Sequence, residues 1–262
     1  MSERPAEITQ FHCRLMKCTL EIDNSRAYWQ HVGTNGSPPT ARRAFEEYWF
    51  GARSLPRAEM LMAHLRTRYD AYPSALEVLK AWRDMDPDTR RLVCHWHLQL
   101  ADPLYRTFTG RYLVSRREEA RAEVTRGLVV TWVEQQAPGR WMMPTKLKFA
   151  SKLLQASLAA GLVASARDPR PLCYPRVSDE ALTYLMYLLR NVEFAGTLLD
   201  NPYAASVGLQ GSVLEQRLRG LTALRFYRQG ELVDFGWCHS SLADWASATV
   251  LAAPTALPEG NP

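Results

Sequence analysis

Lys146, Lys148 and Lys152 stand close together, with Ser151 and Gln155 interleaved among them. Short polar side chains on an exposed helix can hydrogen-bond base edges, and neighbouring ammonium groups can neutralise phosphates. The chemistry on offer is therefore recognition rather than bond making. Arg167, Arg170 and Arg176 follow in a stretch broken by Pro169, Pro171 and Pro175. There they could reach the backbone of the same nucleic acid. Between Pro103 and Arg176 thirteen Lys and Arg face five Asp and Glu, a local excess of +8, whereas the whole chain carries +5. All positions outside that stretch thus sum to −3.

Other chemistry finds less support. His95-Trp96-His97 offers two imidazoles, but alternate residues on a helix point about 200° apart and one ion cannot take both. Zinc also needs three or four convergent donors, and only the adjacent Cys94 is nearby. Cys13 and Cys18 match neither a zinc knuckle nor a redox pair. The chain lacks a Gly-x-Ser-x-Gly elbow, a Walker loop, a dinucleotide-binding glycine motif and a His-Glu-x-x-His helix. Glu46-Glu47, Asp84, Asp86, Asp88 and Asp179-Glu180 are carboxylates available to an active site. The middle set brackets Pro87, where acids favour the start of a helix. His239 near Asp234 and Asp244 carries no stronger signal. The expectation is a non-enzymatic protein with no catalytic residue, no metal and no cofactor.

The elements that must position the lysines follow from caps and breakers. Thr145 is a candidate N-cap for a helix running to Ala160 and stopped by Gly161. Leu147, Ala150, Leu154 and Leu158 would form its buried side, while Ser151, Gln155 and Ser157 face outward. Leu162-Val163 would be the first wing strand, and Ala166 to Pro175, which its prolines keep from being helix, fits two short strands with a tight turn. Ahead of these, Ser115 and Glu118 have capping-box spacing before a helix to Gln136, and Pro138-Gly139 breaks it. An alternative reading helix, Arg116 to Arg126, alternates Arg with Glu and better fits a salt-bridged solvent face.

Upstream, helices are expected at Phe11 to Leu20, after Thr40, at Arg57 to Tyr69, from Pro73 and from Pro87, with Gly110 ending a turn that begins at Pro103. Downstream, helices are expected from Ser178 to Leu189, Ser212 to Leu221 and Ser240 to Ala246, with a β-hairpin over Leu224 to Phe235. Arg225 and Arg228 near its turn make it a second place for a wing. Tyr28-Trp29, Tyr48-Trp49-Phe50 and Trp141 are stacking platforms, a protein interface or, as is usual for aromatics at helical spacing, core. The fold class is mainly α: a helical bundle with a winged helix-turn-helix portion and small β-hairpins. Residues 8–102 read as a helical region, 103–250 as the region containing the winged helix, and 251–262 as a disordered tail.

The totals fit a soluble, cytoplasmic protein. A chain of 262 residues with 47% hydrophobic and 23% charged residues can bury a full core. Its pI near 9.0 favours an anionic partner. Five scattered cysteines suggest reduced thiols. The opening residues lack the apolar core of a signal peptide, and no apolar run approaches a bilayer span, so no membrane is expected.

Three stretches taken in order resemble one family. They are Leu98-x-x-x-Asp102-Pro103-Leu104-Tyr105-Arg106 with Phe108, then Thr145-x-x-Lys148-x-x-Ser151-x-Leu153-Leu154-x-x-x-Leu158-x-x-Gly161-Leu162, and Asn201-Pro202-Tyr203-x-x-Ser206-Val207-Gly208-Leu209. In that order they resemble the BrxA family of bacterial BREX phage-defence systems, across roughly residues 10 to 250. The resemblance implies a largely helical fold with a winged-helix portion and binding of double-stranded DNA without known catalysis. It also implies partnership with other BREX system proteins, among them an adenine methyltransferase and an ATPase. It supplies no proven base reader, so Lys146, Lys148, Ser151, Lys152, Gln155, Arg167, Arg170 and Arg176 rest on the residue reading alone. Two alternatives are a protein–protein scaffold without DNA contact, and a hydrolase or nuclease with its carboxylates gathered in one pocket.

Overall fold

A computed structural model of the chain describes residues 4–33 and 39–252. The expected tail from 253 onward and most of the turn-rich stretch before Thr40 lie outside the described residues. The first helices are α1 (Ile22–His31), α2 (Ala41–Glu46), α3 (Leu55–Tyr69), α4 (Pro73–Ala81) and α5 (Pro87–Ala101). Next come α6 (Pro103–Thr107), a π-helical stretch Phe108–Tyr112 and α7 (Leu113–Arg117). Strand β1 (Glu123–Val124) leads into α8 (Arg126–Gln136), α9 (Met143–Ala159) and β2 (Arg170–Pro171). The chain continues through α10 (Asp179–Arg190), α11 (Pro202–Ser206), α12 (Gly211–Gly220), β3 (Leu224–Gln229), β4 (Leu232–Trp237) and α13 (Leu242–Ala248). The fold is mainly helical, with two small antiparallel sheets, β1–β2 and β3–β4.

Side-chain caps start many of these helices by accepting N–H groups that the first turn leaves unpaired. Thr40 accepts from Arg43 N at 3.1 Å, Asp86 from Asp88 N and Thr89 N at 3.0 Å, and Ser178 from Ala181 N at 3.1 Å. Asp102 and Asn201, each followed by proline, cap α6 and α11. The β3–β4 hairpin turns at Gly230, where φ is +60° and glycine meets no steric penalty.

One hydrophobic core draws on residues from Leu15 to Ala246. Helix α10 lies within it, with every residue from Ala181 to Leu189 buried, as its apolar run requires. Tyr28, Trp29, Trp49 and Trp141 are also buried, so they are core and not stacking platforms, while Tyr48 is exposed. No helix among the described residues is long and apolar enough to cross a membrane.

Helix α5 carries the two imidazoles of His95 and His97 into this core and satisfies both there. His95 Nε2 lies 2.8 Å from Ser206 Oγ and Nδ1 lies 2.8 Å from the Tyr105 hydroxyl. Ser206 spends its proton on Tyr203 O at 2.7 Å. Its oxygen therefore accepts from His95 Nε2–H, and bare Nδ1 accepts from Tyr105. His97 takes the opposite tautomer: Nδ1–H faces Arg68 O at 3.3 Å and Nε2 accepts from Tyr184 at 2.8 Å. The two rings have separate partners and share none.

Several expected boundaries move for identifiable reasons. Phe11 to Leu20 forms only a 3-10 turn, Arg14–Met16. The buried Arg68 guanidinium instead donates to Thr19 O at 2.7 Å and Leu20 O at 2.8 Å, which draws those carbonyls away from a helix. Ser115 lies inside α7 rather than at a cap; Thr125 caps α8, accepting from Leu128 N at 3.3 Å. Gly110 does not end its helix, which continues through it as the π-helical stretch.

Contact with α11 explains Gly110. A Cβ there would sit 2.4 Å from Pro202 Cβ and 2.5 Å from Pro202 O, distances no backbone tolerates. Helix propensity alone favours alanine over glycine by about 1 kcal/mol. Overpacking of a core contact costs about 1–3 kcal/mol or more, and here the obstacle is backbone. Gly110→Ala is expected to lower stability by about 2 kcal/mol in urea unfolding; a neutral or stabilising result would show that α11 yields freely.

Candidate nucleic-acid interface

Helices α8 and α9 are joined by a turn that several side chains fasten. Glu134 accepts from Gly139 N at 3.1 Å and from Lys146 Nζ at 2.6 Å, bracing α8 against both the turn and α9. The hydrogen bonds from Lys146 and Gly139 N hold the Glu134 carboxyl below the usual range. Trp141 packs on Phe149 with ring centroids 4.7 Å apart, and Arg140 lies over the indole while donating to Phe11 O at 3.0 Å.

Helix α9 begins at Met143, not after Thr145, with Pro144 in its first turn. Proline is tolerated there because that N–H would have no helical partner. The far end is a Schellman arrangement. Gly161 takes φ +75°, Leu162 N donates to Ser157 O at 2.9 Å, and Gly161 N donates to Leu158 O at 3.0 Å. The stop at Gly161 is where the sequence placed it.

The buried side of α9 consists of Phe149, Ala150, Leu153, Leu154, Ala156 and Ser157. Leu147 and Leu158 sit half-buried at its edges. Ser157 is a correction: it lies fully buried in the core, with no hydrogen-bond partner for Oγ among the described residues. At about 100° per residue, Lys148, Ser151, Lys152 and Gln155 share an arc of roughly 100° on the opposite side. All four are exposed or half-exposed. Lys148 has no ion pair or hydrogen bond from its side chain among the described residues, while Lys152 Nζ donates to Gln155 Oε1 at 2.9 Å. Ser151 Oγ donates to Leu147 O at 2.9 Å, as hydroxyls within helices commonly do.

Lys146 does not join that arc. It stands about 160° around the helix from Lys148, its side chain is only 14% exposed, and its charge is matched by Glu134. The structure thus separates it from the other α9 candidates.

Behind α9, three extended segments lie side by side. β2 pairs with β1 in the register Glu123↔Pro171 and Val124↔Arg170, and Val163 bridges Leu172 on the other side. Ala164 N donates to Pro171 O at 2.9 Å and Cys173 N to Leu162 O at 3.1 Å. The expected strand at Leu162-Val163 is thus a single bridge, and the connecting turn is 165–169.

Asp168 anchors that turn. Its Oδ2 accepts from Arg126 N at 2.7 Å, at the start of α8, and its Oδ1 accepts from Arg170 Nε at 2.7 Å. The Arg170 bond is the main reason its carboxyl stays below the usual range. Arg126 Nη2 in turn reaches Leu147 O at 3.5 Å. Arg126 thus ties the start of α8 to the turn bearing Arg167 and to the edge of α9 at Leu147. Arg167 is exposed, and its side chain has no hydrogen bond or ion pair among the described residues. Arg170 is committed to Asp168 with its side chain 14% exposed.

Arg176 lies elsewhere. It lines a cleft of about 430 Å³ together with Trp82, Asp84, Asp86, Asp88 and Glu180. Of the acidic groups singled out in the sequence, Asp84, Asp86, Asp88 and Glu180 line this cleft, while Glu46, Glu47 and Asp179 do not. Even so, no three or more His, Cys, Asp or Glu among the described residues come together closely enough to hold a metal ion.

Arg126 is the member of this surface that the sequence reading passed over, as the end of an Arg/Glu-rich stretch. That stretch is salt-bridged as expected at Arg116 and Glu119. A threonine cap at Thr125 was the available sign that Arg126 opens a new helix.

No family model matches the chain, and no curated protein matches it. A crystal structure of an uncharacterised protein from Magnetospirillum magneticum is similar, with TM-score 0.54 and 18% identity over 70% of this chain and 98% of that one. At that identity the likeness is one of fold.

Proposed function

We propose that this protein is a non-enzymatic binder of double-stranded DNA, acting as an accessory component of a BREX-type phage-defence complex. In this reading α8 and α9 are the two helices of a winged helix-turn-helix, β1, Val163 and β2 are its small sheet, and 165–169 is its wing. Helix α9 enters the major groove with Lys148, Ser151, Lys152 and Gln155 outward, while Arg126 and Arg167 contact phosphate. One observation carries the reading: Arg126, at the start of α8, is tied to the turn at Asp168 at 2.7 Å and to α9 at Leu147 O, next to exposed Lys148, at 3.5 Å. A place among other BREX proteins rests on the family resemblance alone.

The test is a titration of duplex DNA against the protein at several ionic strengths. With roughly four phosphate contacts, the logarithm of affinity should fall with the logarithm of salt at a slope of about −4. Undetectable binding at low salt overturns the reading. A second reading, a protein-docking scaffold, is favoured by the β3–β4 hairpin, where Leu232 is 77% exposed beside Tyr227 and Val233. A scaffold of that kind would be indifferent to DNA at every salt concentration.

A further inference from the structure

The turn leading into α9 presents apolar side chains outward. Trp141 is buried against Phe149, and the chain then emerges so that Met142 is 79% exposed and Met143 53%. Pro144 follows, also exposed. Met142 occupies the N-cap position, yet no side chain there accepts a hydrogen bond from the helix. Serine, threonine, aspartate or asparagine would stabilise α9 better, so neither capping nor core packing accounts for methionine at this place.

Pro144, Lys148, Ser151 and Gln155 follow one another at i, i+4, i+7 and i+11 and form a single stripe. Pro144 is its leading member and Met142 stands just ahead. Apolar groups at the front of a cationic and amide-bearing stripe suit one ligand. The major groove offers phosphates at its walls, hydrogen-bonding base edges on its floor and one apolar group, the 5-methyl of thymine. Exposed Lys148, one turn on from Pro144 and without an ion pair among the described residues, favours that polyanion over an apolar protein surface.

We infer that Met142 and Pro144 contact thymine 5-methyl groups in the major groove, so that the protein favours thymine-bearing sites. The inference rests on the DNA-binding reading above and specifies what its leading edge recognises.

The experiment compares two short A·T-rich duplexes of identical sequence, one with deoxyuridine in place of every thymidine. Each methyl removed from an apolar contact should weaken binding about fourfold, so with two such contacts the uracil duplex is expected to bind about four- to sixteenfold more weakly. Met142→Ser should reduce the difference to the share that Pro144 provides, about fourfold or less, while leaving the salt slope unchanged, since no charge is altered. Equal affinity of the wild-type protein for both duplexes overturns the inference and leaves DNA binding standing. A Met142→Ser variant that still discriminates as strongly also overturns the role given to Met142. Failure to bind either duplex at low salt overturns the DNA reading, and this one with it.

Discussion

Reversing the charge of both Lys148 and Lys152 (K148E/K152E) is expected to weaken duplex binding by about 60-fold or more at 0.1 M salt. Each phosphate contact contributes a salt slope of about 0.9, so at 0.1 M it is worth about eightfold over its value at 1 M. Two lost contacts give about 60-fold, repulsion adds to it, and the slope should shrink by about 2. Stability should change little, because Lys148 makes no side-chain contact among the described residues and Lys152 reaches only Gln155 of its own helix. The control is Lys146→Glu, which sets a carboxylate against Glu134 where a 2.6 Å ion pair stood. That variant should lose thermal stability first and DNA affinity only as it unfolds. If the double reversal binds as the wild type does, the outer face of α9 is not the contact surface. If Lys146→Glu has the larger effect on affinity at full folding, the reading face has been placed on the wrong side.

The contrast between these lysines shows what was legible in the sequence. The stretch around α9, its stop at Gly161 and its outward set Lys148, Ser151, Lys152 and Gln155 follow from helical periodicity and a glycine C-cap, both local properties. Lys146 was grouped with its neighbours by proximity in sequence, yet two residues along a helix mean opposite sides, and its partner Glu134 lies on another helix. Ser157, small and polar, reads as outward-facing, but its position on the buried face outweighs its polarity.

Residues whose roles depend on distant chain were hidden for the same reason. Gly110 resembles a helix stop until Pro202 is seen against it. The carbonyls of Thr19 and Leu20 leave a plausible helix because Arg68 claims them. Arg170 and Arg176 look alike in sequence, yet one is held by Asp168 and the other lines an acidic cleft. Caps such as Thr40, Asp86 and Ser178 were readable because both partners lie within one turn. Ser115 with Glu118 has the same spacing without the same role, since spacing does not say whether a helix is starting or under way.

The second large effect is on stability and comes from α5. Burial holds His95 and His97 at about 3, with the charge of Arg117 adding to it for His95. For His97 the hydrogen bond to Arg68 O pulls upward and the Arg68 charge downward, both weaker than burial. In the unfolded chain each ring titrates near 6.5. A folded-state pKa below the unfolded one means that the folded protein holds the neutral ring. The stability this provides is complete above about pH 6.5 and is lost as pH falls toward 3. At pH 5 the unfolded chain gains about 2 kcal/mol per ring from protonation, or about 4 kcal/mol for the pair. That is a large share of the 5–15 kcal/mol typical of folded domains. His64, held at about 4 by partial burial, acts in the same direction. Asp102 opposes it, because burial raises its carboxyl and favours its protonated form in the folded state; His12, with Nδ1 3.5 Å away, pulls it back down. Urea unfolding at pH 7.5 and pH 5 should therefore show a midpoint that drops sharply on acidification. His97→Gln, which keeps a donor and an acceptor but cannot take up a proton, should remove about half of that drop. A midpoint that stays level between the two pH values would mean that one or both rings are already charged in the folded protein. The paired tautomers inferred from Ser206 and Arg68 could not then both be correct, because each leaves one ring nitrogen bare to accept a tyrosine proton.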